Sequence, residues 1–406
     1  MKKTKSVFNS IVNIFNFKNS APINLTGLYD PVFLILILSL LGFGLVMLFS
    51  ASFARAFYLN HGNSLHYISK QFINATIGLI GMFVIAKIDY RKYMNLALPA
   101  YLLGVLVLVL VLVVGVPDKH GIKRWLYVGP IQFQPSELTK IALIILFSAM
   151  VSKNYKKMKL FHVGVVRFVA VLGVVLILMF LEPHLSGAVV ICSIAGVMMF
   201  VGGTRIRWFV LIFTLALCAL LYILLFKGNY MSGRAYFWLH PFSDPQNQTM
   251  QTDQSLLAIG SGGFFGLGLG QSRQKFLFLP EVQNDFIFAV ICEELGAIGA
   301  FAVIGLFLCF CYKGFEIATR TNDKFGCMLC TGIVSQFVIQ AIYNIAVVTS
   351  TIPNTGISLP FFSYGGTAIV VQLWELGIVL NISKHANTPK LLKLKIPAKK
   401  TRLLPN

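Results

Sequence analysis

The sequence predicts an all-α polytopic membrane protein. It should have about ten transmembrane helices, a large ordered extracytoplasmic loop between the seventh and eighth spans, and both termini in the cytoplasm. Three observations lead there. Hydrophobic residues make up 57% of the chain and charged residues 12%, whereas a soluble domain carries about 25% charged residues to cover its water-facing surface. Apolar runs of about 17 to 25 residues recur from end to end, each long enough to cross a hydrocarbon layer of about 30 Å as a helix. The formal charge of +20 comes from Lys and Arg placed between those runs. This placement reports topology and contact with anionic lipid, and no nucleic-acid partner is expected.

Residues 1–31 form a basic N-terminal tail, 32–383 a single membrane domain, and 384–406 a second basic tail. The first apolar run, 32–51, follows about thirty polar or mixed residues and has full spanning length, so it reads as a retained anchor and not a cleaved signal peptide. Further spans are expected at 71–88, 95–115, 136–152, 163–182, 186–203 and 207–227, then, after a loop at 228–284, at 285–312, 326–350 and 367–383. With the N-terminus inside, the cytoplasmic segments hold more than twice the Lys and Arg of the outer ones. The runs Lys153 to Lys159 and Lys390 to Arg402 contribute most of that excess. All seven cysteines lie in or beside spans, so Cys327-x-x-Cys330 reads as small apolar filling at a helix start.

The loop at 228–284 holds too many aromatics, glycines and apolar stretches for a disordered linker, so an ordered cap over the bundle is expected. Half of the 14 acidic residues fall at the outer side: Asp118, Glu137, Glu182, Asp244, Asp253, Glu281 and Asp285. Polar chemistry is thus concentrated outside. Glu293, Glu294 and Glu375 fall within spans, where they must face the interior, a cavity or a partner; structural pairing and function both stay open for them.

Four stretches carry the candidate chemistry. In Phe278-Leu279-Pro280-Glu281-Val282-Gln283-Asn284-Asp285-Phe286, a carboxylate stands where the loop meets the next span. Asp285 there either caps the helix N-terminus or, desolvated by bulky neighbours, serves as a general base. Gly121-Ile122-Lys123-Arg124-Trp125 precedes Gln134-Pro135-Ser136-Glu137-Leu138-Thr139-Lys140. Pro135 suits a first helical turn, and Glu137 and Lys140 share a helix face and can pair. The stretch is either an interfacial anchor or a cationic platform for phosphate, to which Arg234, Arg273 and Lys275 could add. The glycine run from Gly260 to Gly270 lacks the spacing of a dinucleotide fingerprint. It suits a tight turn, close backbone packing or N–H contacts to an anion. Thr355 to Thr367, with Ser363 and Tyr364, opens the last span as a rigid turn or a site wall.

Together these stretches resemble the SEDS family (shape, elongation, division and sporulation). The likeness runs over roughly residues 30 to 385. It rests on Lys123-Arg124-Trp125 with Gln134-Pro135-Ser136-Glu137, Ser261-Gly262-Gly263, Leu279-Pro280-Glu281 with Asp285-Phe286-Ile287-Phe288-Ala289, Glu293-Glu294-Leu295-Gly296, and Leu359-Pro360 with Ser363-Tyr364-Gly365-Gly366. Gly44-Leu45-Val46-Met47, Ser50-Ala51-Ser52 and Gly266 to Gly270 look more like the FtsW and SpoVE branch of division and sporulation than the RodA branch of elongation. One departure stands out. Many members read Pro-Asp-Leu-Gly where this chain reads Pro183-His184-Leu185-Ser186-Gly187, with Glu182 adjacent.

The resemblance implies a peptidoglycan glycosyltransferase that polymerises lipid II at the outer face of the cytoplasmic membrane. It would work beside a monofunctional class B penicillin-binding transpeptidase and other division or sporulation membrane proteins, at the division septum. It implies Asp285 as the base of an inverting transfer, with Lys123, Arg124, Lys140 and Arg234 on the departing pyrophosphate and Trp125, Glu137, Glu281 and Ser363 also in the substrate site. A divalent cation (Mg or Mn) near Glu137 and no organic cofactor are expected. The alternatives are a lipid II flippase, or other transporter of lipid-linked precursors, and a non-catalytic scaffold.

Overall fold

A computed structural model describes residues 29–117, 123–129, 131–211, 214, 238, 240, 242–244 and 249–386. Eight helices among them are long and apolar enough to cross a membrane. The chain begins with α1 (Pro31–Leu59), α2 (His66–Ile85) and α3 (Ala97–Val114). Between α3 and α4 (Pro135–Asn154) lies a three-stranded antiparallel sheet of β1 (Val116–Pro117), β2 (Lys123–Val128) and β3 (Ile131–Phe133). A π-helical turn at His162–Val166 runs into α5 (Arg167–Leu181), followed by α6 (Leu185–Val201). Then come α7 (Met250–Gly262), α8 (Ile287–Arg320), α9 (Lys324–Val348) and α10 (Thr367–Ala386).

The sheet corrects the all-α expectation. In the connection from α3 to α4, Lys123 to Val128 pair with β1 and β3 and end at a turn where Gly129 takes a positive φ of 62°, so strand pairing satisfies the backbone groups of this segment. The sixth expected span is α6, an apolar helix of 17 residues. The seventh, at 207–227, lies mostly outside the described residues, as do the tails. In the loop at 228–284, residues from 249 onward are described: α7 forms there, and its Ser255 hydroxyl donates to the Val348 carbonyl at the end of α9 (2.8 Å). The Trp238 indole donates to the Ser350 carbonyl (2.9 Å). Both contacts dock the loop on the bundle.

Helices α4, α9 and α10 form the centre, each 78% buried over its apolar window, whereas α1, α2, α3, α5 and α8 are 22–39% buried and turn apolar faces outward. Such faces suit lipid, which exacts no penalty for exposed Leu, Ile and Phe. Caps fix where helices begin. Asp30 accepts from Val32 N and Phe33 N ahead of Pro31, and Asp323 accepts from Gly326 N and from the Tyr90 phenol. Asp30 N also donates to Ser383 Oγ (3.1 Å), so the start of α1 and the end of α10 lie at one end of the bundle.

The opposite end carries the loops. Helix α8 breaks at Gly296, whose φ of 65° and ψ of −162° no β-carbon-bearing residue adopts easily. A Cβ there would stand 2.4 Å from Gly266 N. The glycine run therefore packs main chain to main chain against the kink, with Leu267 N to Glu293 O and Gly268 N to Glu294 O both at 2.9 Å. Close backbone packing is the role these glycines take. Beside it, residues 355–366 dip between the helices. Phe361 anchors them, stacked on Phe337 (5.3 Å between ring centroids) and edge-on to Phe310 (6.1 Å).

Candidate functional site

A cavity of about 230 Å³ opens among the elements at this loop-bearing end. One wall is β2 and the first turns of α4, giving Arg124, Trp125, Ser136, Glu137 and Lys140. The α5–α6 connection supplies His184, and the first turn of α6 supplies Ser186 and Gly187. Opposite them stand Asn284 and Asp285, with Gly356 to Ser358 and Tyr364 to Gly365 beside, and Gln340 of α9 reaches in from below.

The expected pair on α4 is formed. Lys140 Nζ is 2.7 Å from Glu137 Oε1, and the lysine is only 3% exposed. Glu137 Oε2, Ser136 Oγ, Arg124 Nε and His184 Nδ1 are buried and have no hydrogen-bond partner among the described residues. The Arg124 guanidinium donates to the Pro183 carbonyl (2.6 Å), which aims it along this wall. Burial, with Arg124 and Lys140 nearby, pushes the His184 imidazole down to about 3, so it is neutral at physiological pH. Burial pushes the neighbouring Glu182 carboxyl up to about 7 against the pull of Arg124. Lys140 and Arg124 thus supply the positive charge on this side.

Asp285 faces that wall on different terms. Helix α8 starts at Ile287 and its cap position is Phe286, with no side-chain cap, so the helix-capping reading of Asp285 is corrected. Among the described residues its carboxylate has no hydrogen-bond or ion-pair partner. Burial, and secondarily the negative charge of Glu281, pushes the Asp285 carboxyl up to about 6. A carboxylate so placed is a proton acceptor tuned close to neutral pH.

Other expected site residues lie elsewhere. Lys123 Nζ points back to the Leu112 and Val113 carbonyls (3.4 and 3.3 Å) and does not line the cavity. Glu281 pairs with Arg55 (2.9 Å) and accepts from Asn284 Nδ2 (2.7 Å), so it acts on Asp285 through charge alone. Ser363 ties two loops together, donating to the Asn284 carbonyl (2.5 Å) and accepting from Leu359 N (2.8 Å). Arg234 lies outside the described residues. Arg273 is exposed away from the cavity, and Lys275 is buried against Glu294 at 2.9 Å, so neither joins a phosphate platform.

The carboxylates within α8 are structural. Glu294 accepts from Ser50 Oγ (2.7 and 2.6 Å) and Lys275, while Glu293 accepts from Ser272 Oγ and Arg273 N (2.8 Å). Glu375 of α10, 1% exposed, accepts from Gln336 Nε2 (2.8 Å). Gln340 and Asn344 belong to none of the motifs above, although Gln336, Gln340 and Asn344 recur every four residues in a mostly apolar span. That spacing puts three amides on one helix face and was a legible signal.

The donor set around Glu137 decides whether a divalent ion fits. Glu137 is a single carboxylate already paired with Lys140, and no cluster of three His, Cys, Asp or Glu exists among the described residues. Hard cations need several oxygen ligands, so the protein side chains alone do not form that site.

Eight spanning-length helices with a polar cavity at one end, where Arg124 and Lys140 face Asp285, define a polytopic membrane protein with its polar chemistry gathered at that end. The FtsW/RodA/SpoVE family profile, described as "Cell cycle protein", matches residues 31–388, and the chain belongs to that family. It is 37% identical over 356 residues to the probable peptidoglycan glycosyltransferase FtsW of Trichlorobacter lovleyi, covering 87% of this chain and 93% of that protein. It is 38% identical over 361 residues to stage V sporulation protein E of Bacillus subtilis, covering 88% and 97%. Its fold superposes on the rod shape determining protein RodA of Thermus thermophilus with a TM-score of 0.64, at 27% identity, covering 87% of this chain and 96% of that one. A chain from a peptidoglycan synthase complex, described for its structural coordination of polymerization and crosslinking, gives 0.75 at 26% identity, covering 88% and 98%.

Proposed function

We propose that this protein is a peptidoglycan glycosyltransferase that polymerises lipid II into β-1,4 glycan strands at the outer face of the cytoplasmic membrane. The names of its relatives support the activity, and one observation carries the mechanism: Asp285, unpartnered and raised towards neutral pH, shares a cavity with Arg124 and Lys140. The 4-hydroxyl oxygen of an incoming lipid II attacks the anomeric carbon of the growing glycan, which is α-linked to undecaprenyl pyrophosphate. Asp285 takes the hydroxyl proton. The bond to pyrophosphate breaks with its electron pair going to the leaving oxygen, whose charge Arg124 and Lys140 stabilise, and inversion at the carbon gives the β link. Trp125 and Tyr364 line the cavity where the sugars would stack. Mg or Mn would enter with the substrate pyrophosphate, beside Glu137, and would supply further positive charge there.

The cavity end is the outer end, since the chain enters and leaves the bundle at the other, where basic tails flank it. The apolar sequence at 207–227 is long enough to bring the number of spans to about ten. A monofunctional class B penicillin-binding transpeptidase at the septum is the proposed partner, in keeping with the synthase complex that shares the fold. Of the three carboxylates that keep the flippase alternative open, Glu293 and Glu294 are tied into structure, while Glu375 accepts from Gln336 through one oxygen and its Oε1 has no partner among the described residues. Purified protein with its transpeptidase, given lipid II, should yield glycan polymer on a gel. Lipid movement across vesicles with no polymer would favour the transporter.

A further inference from the structure

We propose that Asn344 is the positioning residue for Asp285, holding its main chain so that its carboxylate stays free. The inference rests on the reading of Asp285 as the base. Asn344 is fully buried on α9, one turn beyond the cavity-lining Gln340. Its amide nitrogen donates to two carbonyls from different loops, Asp285 O and Ile357 O, both at 2.7 Å. Those bonds use both hydrogens the side chain has.

The neighbouring carbonyls are held as well. Tyr364 N donates to Gln283 O (2.8 Å) and Ser363 Oγ to Asn284 O (2.5 Å). Three successive carbonyls, 283 to 285, are therefore pinned, while the Asp285 side chain touches no polar partner among the described residues. Only the bond to Asn344 comes from a spanning helix; the other two come from a loop. A base held within a fraction of an ångström by its backbone, with its reactive atoms unencumbered, is the preorganised arrangement that proton transfer needs.

Loosening this clamp should also change the setting of the carboxylate. The charged and titratable groups around Asp285 are Glu281 in its own turn, with Arg55 of α1 behind it. Across the cavity stand Arg124, Glu137, Lys140 and His184, and Tyr364 comes from the last loop. None of these is hydrogen-bonded to Asn344, so a shift in Asp285 titration on its replacement would report hydration of the turn.

The test uses the full chain with its transpeptidase. Asn344→Leu removes both donors at similar volume, and Asn344→Gln keeps the amide on a longer arm. Two readouts are taken: lipid II polymerisation, split into kcat and KM, and the pH midpoint for labelling of Asp285 by dicyclohexylcarbodiimide, which attacks the protonated carboxyl and is read by peptide mass spectrometry. Asn344→Leu should lower kcat by about a hundredfold with KM within about twofold, and move the midpoint acidward from about 6 as water reaches the carboxylate. Asn344→Gln should move both in the same direction by less, and it carries the test alone if the Leu variant does not fold. An unchanged kcat, or a lowered kcat with an unchanged midpoint, overturns the proposal. Absence of polymer from the unsubstituted protein would instead sink the functional reading, and the labelling midpoint would still decide on Asn344.

Discussion

Asp285 and Glu294 lie within three turns' worth of sequence of each other, and the fold treats them in opposite ways. Glu294 is enclosed by Ser50, Lys275 and Ser272 N, so its charge is spent on holding the 262–275 loop to α1 and α8. Asp285 has its backbone held and its carboxylate left open to a cavity whose far wall is cationic. Buried carboxylates that are fully satisfied knit a structure together, and a carboxylate left unpartnered against a cavity is available for chemistry. The same contrast separates Lys275, buried in a pair, from Lys140, which shares its pair with a cavity still lined by unpartnered Glu137 Oε2 and Arg124 Nε.

The contrast can be broken by substitution. The largest effect on stability should come from Glu294→Ala. It strands the Lys275 ammonium in a dry site and should cost about 3–5 kcal/mol, measured as a lowered Tm for the purified protein. Polymerisation per folded molecule should survive it. Gly356→Ala should act the other way. Gly356 has a φ of 64° and a Cβ there would stand 3.1 Å from Asp285 Oδ2, so the carboxylate must turn from its open position. A loss of about ten- to a hundredfold in kcat is expected, with a modest drop in Tm.

A smaller effect follows from titration. With the carboxyl at about 6 in the folded protein, the base is deprotonated above that pH and protonated below it. The rate should therefore be flat above pH 7 and fall about tenfold per unit well below 6. His184, at about 3, stays neutral throughout and leaves this limb unshaped, while Glu182, at about 7, could soften its upper shoulder. Smallest of all should be Lys123→Ala, since Lys123 reaches only carbonyls at the end of α3. A change below about threefold is expected, against a larger loss for Arg124→Ala in the same polymer assay.

Much of this was legible in the sequence. Spans follow from length and hydropathy, and Glu137 with Lys140 from helical spacing, because both are local properties of the chain. Arg124, Trp125 and Asp285 stood in motifs at the right end of the right spans. The misplaced residues share a cause: the partners of Ser363, Glu281 and Lys275 are far away in sequence, so motif membership could not tell a cavity wall from a strut. The small sheet has a weaker signal, Trp125 to Val128 with their aromatic and β-branched side chains running into Gly129-Pro130, which the long apolar spans on either side outweigh. Asn344 was visible as one of three amides on a face, but its two carbonyl partners could only come from the fold.

The central claim is that the free carboxylate of Asp285 is the base. Its most direct test is the lipid II polymerisation rate of Asp285→Asn, which keeps shape and removes the proton acceptor, measured on protein whose Tm matches that of the unsubstituted chain. The account predicts a loss of at least about a hundredfold. Polymer made at the unsubstituted rate by a folded Asp285→Asn protein would contradict it.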